Sequence, residues 1–420
     1  MKFFINSYFG DNQSIGLLSH IKKRLPYGMD DQWMVFSHYT ERGWTVDNLW
    51  HIFTDFYGGQ YAPLAFLSYL VLYAGFGYDP FYFHMFSLLL HIGCVCLVWK
   101  LISSLLRVHG GVSEKQILYV NFITTLLFAV HPINVEAVAW ISALKVLLYA
   151  FFYLLGLLCY LRYIRTSKIF YYVLTIGCFL CSFWGKEQAV TFPLALLIVD
   201  WFTNRNMKNL EVWSEKMSFL IMAFFFGIIT VLSQGKGPYE MIFPLYQRLL
   251  FGCFALVEYI TKSLLPVNLN FFYPFPIVLG EEPPLHYYLY PVVLLFLMGW
   301  IIAYRNNRYL VFGVLLFLVN LLFSIHLFNM SRHAIVADRY MYLSYVGIAF
   351  LIANGIWWLR KRLSYFKAAL VFLFFYCFFL SVYTFHYTKK RENTTMVKKY
   401  TKEVLEKRLM EVIIYRQLKF

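Results

Sequence analysis

Charge is scarce in this sequence. Only 14% of its 420 residues are Asp, Glu, Lys or Arg, against ~25% in an ordinary soluble domain. That deficit excludes a soluble globular chain. The space is taken by apolar side chains, 60% of the total, with 21% aromatic and a mean hydropathy of +0.58. Acidic residues are the scarcer sign, 22 against 37 Lys and Arg, for a net charge of +15. Such a surplus suits nucleic acid only as a continuous basic face. Here most basic residues lie in short loops between apolar runs, or in the tail after His386, so no nucleic-acid partner is expected. The chain lacks a repeat at a period of roughly 20–50 residues, which excludes a solenoid array. Its seven cysteines all fall inside apolar runs, and the Cys178/Cys181 spacing has no companion ligands. No metal site is expected, and the cysteines say nothing about redox compartment.

What remains is apolar runs, and they set the fold class: an all-α polytopic integral membrane protein. Crossing ~30 Å of hydrocarbon takes ~20 residues of helix. About ten runs qualify as spans: Phe83–Leu106, Ile117–Val130, Val146–Ile164, Ile169–Trp184, Gln188–Phe202, Met217–Leu232, Tyr287–Tyr304, Tyr309–Phe328, Tyr340–Leu359 and Lys367–Tyr387. Arg107/Lys115, Arg162/Arg165/Lys168, Arg205/Lys208/Lys216, Arg305/Arg308 and Arg360/Lys361/Arg362 mark five loops as cytoplasmic, because cytoplasmic loops retain Lys and Arg. Three regions follow: an external N-terminal loop over 1–82, a transmembrane region over 83–387 with a large external loop over 233–286, and a charged helical tail over 388–420. Phe243–Leu265 begins and ends outside in this scheme. It carries Gln247, Arg248, Glu258 and Lys262, and reads as an amphipathic interfacial or re-entrant helix. Ala62–Phe76 reads the same way. Met1–Pro26 is too polar to span and has no signal-peptide core.

The unusual polar clusters all fall on the external side. They are Asp30-Asp31, His131-Pro-Ile-Asn-Val-Glu136, Lys186-Glu187-Gln188, and Ser331-Arg-His-Ala-Ile-Val-Ala-Asp-Arg-Tyr340. Each has a structural reading: a solvated acid pair, a helix-end turn at His131-Pro132, a local ion pair at Lys186-Glu187, a buried pair at Asp338-Arg339. Asp200-Trp201, at the other end, reads as an interfacial anchor. Ionisable groups at membrane depth are costly, however, and functional by default. A carboxylate at the membrane surface can act as general base on an acceptor hydroxyl. Arg332, Arg339 and Lys186 can hold a lipid phosphate. Aromatic loops such as Asn270-Phe-Phe-Tyr273-Pro-Phe-Pro276 can line a sugar ring or prenyl chain. The set points to group transfer from a lipid-phosphate donor at the external face.

Nine stretches carry a resemblance: Met29-Asp-Asp-Gln, Asn48-Leu-Trp-His-Ile-Phe-Thr, Tyr61-Ala-Pro-Leu, Phe76-Gly-Tyr-Asp-Pro-Phe-Tyr-Phe-His84, Leu88-Leu-Leu-His91, Phe128-Ala-Val-His-Pro-Ile-Asn-Val-Glu-Ala-Val-Ala-Trp-Ile-Ser142, Gly185-Lys-Glu-Gln, Phe272-Tyr-Pro-Phe-Pro276 and Ala337-Asp-Arg-Tyr-Met-Tyr-Leu343. In order and spacing, over roughly Tyr27 to Leu351, the chain resembles the GT-C superfamily of polytopic glycosyltransferases. It is similar in particular to transmembrane O-mannosyltransferases that carry tetratricopeptide repeats, and to their bacterial relatives. The resemblance implies a GT-C helical bundle, a polyprenyl-phosphate-linked sugar as donor, no cofactor, and an acidic base in the first external loop. Carried over by position, that base is Asp30 or Asp31, the first being preferred. Arg339, Asp338, Arg332, His333, Lys186, Glu187, His131, Glu136 and Tyr273 are the expected donor-binding set.

The sequence also departs from the family. The apolar helix expected before the acid pair is not found among these residues, which leaves open either a missing anchoring segment or a different presentation of Asp30, and the family's basic-Lys-Asp sequence reads Ala143-Leu-Lys-Val. Ala62 stands where an arginine is usual, and of the region after the last span, where a repeat domain is expected, these 420 residues hold only the charged tail. These departures leave an alternative reading, a non-catalytic membrane component of an envelope-glycan or protein-glycosylation pathway. A transporter fits poorly, since the ionisable residues gather at one surface rather than at the midplane. The expected partners are the bilayer, the lipid-linked sugar and a hydroxyl acceptor. The expected location is a bacterial inner membrane with the active site on the periplasmic side.

Overall fold

The structure, a computed structural model, describes residues 31–234, 243–270, 272–277, 280–326 and 334–391. Asp30, Arg332 and His333 lie outside them, as does nearly all of the tail. A helix forms at each of the ten apolar runs, and local chemistry sets the ends. Asp79 accepts a hydrogen bond from the Phe81 amide ahead of Pro80–His109, and Ser113 accepts one from Gln116 ahead of Glu114–Val130. Asn307 takes the Tyr309 and Leu310 amides at the start of Arg308–Leu321. These oxygens satisfy donors that the first helical turn leaves open.

Helix length divides the ten expected spans into two groups. Among the described residues, six helices are long and apolar enough to cross a membrane: Pro80–His109, Ile141–Thr166, Leu210–Ser233, Leu285–Ala303, Asp338–Lys361 and Leu363–Lys389. A seventh is reached only if Glu114–Val130 and Pro132–Ala139, bent by 50°, count as one. The other three expected spans are short. Ile169–Gly185 has 17 residues, Arg308–Leu321 has 14, and Gln188–Phe202 is α-helical only over the 11 residues Phe192–Phe202. Phe192, Leu196 and Phe202 of the shortest are core residues.

The bundle has two polar ends. At one, the His109 ring meets the Phe202 carbonyl at 2.7 Å, and Arg308 donates to the Trp201 carbonyl and to Asn204. Asp200 lies here too, and it is not an interfacial anchor. It is fully buried, paired with Lys216 and with Arg205 (3.1 Å), and bonded by the Tyr160 hydroxyl. At the other end lie Ser142, Lys145, Lys186, Gln188 and Asp338–Tyr340. The helices Leu144–Thr166, Ile169–Gly185, Phe192–Phe202 and Met341–Trp358 run between the two. The Lys- and Arg-rich loops thus sit opposite the candidate site.

Residues 31–76 build a second core over the Ile141–Leu148 corner, with Tyr39, Phe66 and Tyr69 at its centre. The Tyr69 hydroxyl donates to the Ile141 carbonyl at 2.8 Å. Leu245–Leu264, the expected amphipathic helix, buries Gln247, Phe251, Ala255 and Tyr259 and leaves Leu245, Tyr246 and Leu249 exposed. Its Tyr259 hydroxyl accepts the Ala337 amide, beside a short antiparallel pairing of Tyr273–Pro274 with Ala334–Val336. The Arg308–Leu321 and Met341–Trp358 helices touch through glycine. A Cβ at Gly347 meets the Gly313 carbonyl at 2.5 Å and the Phe317 amide at 2.8 Å. Small residues permit such close backbone approach in membranes. Gly347→Ala is therefore expected to cost about 1–3 kcal/mol, read as a lowered unfolding temperature in detergent.

Candidate functional site

The site is assembled at breaks between helices. Glu114–Val130 ends at His131, a single 3-10 turn spans Pro132–Asn134, and Val135–Ala139 gives way to a second 3-10 turn at Ile141–Ala143. Proline cannot continue the hydrogen-bond ladder of the preceding helix, so the chain folds on itself and holds Glu136, Trp140, Ser142 and Lys145 at one end of the bundle. Lys186 follows Ile169–Gly185 in extended conformation. Asp338–Tyr340 is one 3-10 turn before Met341–Trp358.

Glu136 and Arg339, 203 positions apart, are paired. The guanidinium Nη1 donates to Oε1 at 2.7 Å, and the Arg339 backbone amide donates to Oε2 at 2.7 Å. Glu136 is almost wholly buried, so the pair is charge-assisted in a poorly screened setting. The guanidinium carbon also lies 5.3 Å from the Trp140 ring centre and 5.2 Å from that of Tyr340. Beside it, Asp338 is fully buried and accepts from Tyr273 at 3.0 Å and from Tyr387 at 3.5 Å. Burial and the Asp338 charge push the Tyr273 phenol well above its ordinary pKa. Asp338 therefore anchors the turn that presents Arg339.

Lys186 is buried, with its ammonium 4.7 Å from the Tyr340 ring centre. Burial pulls its pKa down to about 8. Glu187 and Tyr340 oppose the shift, and Lys145 and Arg339 add to it. Lys145 is buried too and donates to the Gln60 side-chain oxygen. Three cations from three separate segments thus act on one another at one end of the bundle.

The acid joins them through Ser142. The buried Asp31 carboxylate accepts the Ser142 amide at 3.0 Å and the Ser142 hydroxyl, and Ser142 is three residues from Lys145. The structure therefore brings together Asp31, Glu136, Lys186, Glu187, Asp338, Arg339 and Tyr273. His131 is placed differently. It is buried against the Tyr345 ring at 4.2 Å, and its Nδ1 accepts the Ile133 amide at 3.2 Å, which caps the next turn. Sequence reasoning passed over Ser142, Gln60 and Tyr340 as site residues. Ser142 and Tyr340 lie inside the matched stretches, but nothing in their spacing marks a bond across 111 positions.

Fold and site together define an all-α, multi-pass integral membrane protein with a charged, partly buried site at one end of its bundle. Its relatives are consistent with this. Over 189 residues, 41% of this chain, it is 32% identical to the mouse "Protein O-mannosyl-transferase TMTC2". It is 31% identical over 167 residues (35% of the chain) to the human TMTC4 protein of the same description, and 28% over 172 residues (36%) to the Drosophila melanogaster Tmtc3 protein. All three carry the O-mannosyl-transferase description of the group that the sequence resembles. The chain spans about a fifth of their length, 21%, 22% and 18% respectively. No family model and no solved structure matches the chain.

Proposed function

We propose that the protein is a membrane glycosyltransferase that moves a sugar from a polyprenyl-phosphate donor to an acceptor hydroxyl, with inversion, at the external face. The observation that carries this reading is the placement of Asp31 and the three cations Lys145, Lys186 and Arg339 at one end of the bundle, opposite the basic loops. A buried cationic cluster beside a carboxylate suits an anionic leaving group next to a base. The O-mannosyl-transferase names of its homologues support the transfer chemistry.

In this mechanism the acceptor oxygen attacks the anomeric carbon. The bond from that carbon to the phosphate oxygen breaks, and its electrons leave with the polyprenyl phosphate. The Asp30-Asp31 pair supplies the base that takes the hydroxyl proton. Arg339 and Lys186 stabilise the charge building on the phosphate. Glu136 orients the guanidinium, so little reorganisation accompanies the step. Membranes carrying the protein, supplied with labelled polyprenyl-phosphate mannose and hydroxyl acceptors, test the reading. Transfer above that of membranes without the protein is expected; none from any polyprenyl-phosphate sugar sinks it.

Lys186 adds a pH signature. Its ammonium is charged below about pH 8 and neutral above, so binding of polyprenyl phosphate is expected to be full near neutrality and to weaken as pH rises through about 8. Lys186→Met is expected to bind more weakly and to lack that step, as read by binding isotherms across the range.

A further inference from the structure

Tyr340 stands where two like charges meet. The Lys186 ammonium lies 4.7 Å from the centre of its ring, and the Arg339 guanidinium carbon lies 5.2 Å from the same centre. These cations repel one another, and burial of Lys186 removes water that otherwise screens the repulsion. The face of an aromatic ring is the negative pole of its quadrupole, so one ring attracts both cations and reduces the cost of holding them together. An aliphatic side chain of similar size fills the space without that attraction.

We propose that Tyr340 is a positioning residue whose ring holds Lys186 and Arg339 at a fixed separation, so that both cations meet one lipid-phosphate group. The ligand half of this statement rests on the proposed donor; the two-cation half rests on geometry alone. The charged and titratable groups that face Lys186 are Glu187 from its own turn, Lys145, Arg339 and Tyr340. Glu136 reaches the cluster through Arg339. Glu187 favours the ammonium and Lys145 and Arg339 oppose it, while the face of the Tyr340 ring adds its own attraction. Loss of the ring therefore matters most while Lys186 is charged.

The test uses the full chain in detergent, with the parent, Tyr340→Phe and Tyr340→Leu. Unfolding temperatures are measured at about pH 7 and about pH 9.5, on either side of the Lys186 titration. Tyr340→Phe keeps the ring and is expected to follow the parent at both. Tyr340→Leu is expected to unfold earlier at the lower pH, with a smaller deficit at the higher one. An equal deficit at both pH values means ordinary packing and overturns the proposal, as does a Phe variant that behaves like Leu. If Tyr340→Leu does not fold, adding Lys186→Met removes the repulsion and is expected to recover folding; failure to recover also overturns it. A second arm measures binding of a short-chain polyprenyl phosphate. Tyr340→Leu is expected to weaken binding roughly tenfold near neutrality, the size that loss of a desolvated cation–π contact implies. The midpoint of its pH dependence is expected to move down, while Tyr340→Phe keeps that midpoint. Parent-like binding by Tyr340→Leu overturns the proposal. If the parent itself does not bind, the lipid-phosphate reading and the ligand half fall together, and the unfolding arm still decides whether Tyr340 holds two cations.

Discussion

Asp31→Asn is expected to lower sugar transfer by about 10²–10⁴-fold, the range that a positioned general base contributes. Asp31 is bonded by both donors of Ser142. The amide oxygen of Asn still accepts one or both of these bonds, so the fold is expected to survive while the negative charge is lost. The measurement is transfer from labelled polyprenyl-phosphate mannose, with parent, Asp30→Asn and Asp31→Asn compared at equal amounts of folded protein. A deficit confined to Asp30→Asn moves the base to the neighbouring acid and leaves Asp31 as the residue that ties the pair to Ser142. Parent-like transfer by both variants removes the base altogether.

Arg339→Leu is the second large effect, and it acts on stability as well as chemistry. Removing the guanidinium leaves the Glu136 carboxylate buried with the loss of its Nη1 partner at 2.7 Å. Breaking a buried pair from one side costs about 3–5 kcal/mol, most of it from the uncompensated charge. Unfolding in detergent should therefore shift to much lower temperature. Adding Glu136→Gln removes the stranded charge and is expected to restore most of that stability. Sugar transfer should stay low, because the phosphate has lost its arginine. If the double variant transfers sugar like the parent, Arg339 serves the fold and not the donor.

Much of this architecture is legible in the sequence. Runs such as Phe83–Leu106 and Lys367–Tyr387 foretell helices because the hydrocarbon demands internally bonded apolar segments. The loops at Arg205 and Arg308 foretell which helix ends lie together. Helix length is not legible at Gln188–Phe202 and Tyr309–Phe328, where apolar composition alone does not separate the short helices Phe192–Phe202 and Arg308–Leu321 from longer ones. Asp200-Trp201 was misread for a related reason. A lone acid beside an aromatic resembles an interfacial anchor until Lys216, Arg205 and Tyr160 are seen to converge on it.

From composition and periodicity alone, the chain is committed to a helical membrane bundle with its polar exceptions displaced to its two ends, since burial in lipid penalises every unpaired charge. The pairings within the end that holds the candidate site were decided only by the tertiary structure. Glu136 meets Arg339 across 203 positions and Asp31 meets Ser142 across 111. Lys186 and Arg339 share the ring of Tyr340 only because two helix breaks face each other. Contacts of that range depend on how helices cross and where they break, and side-chain spacing along one segment carries no record of either.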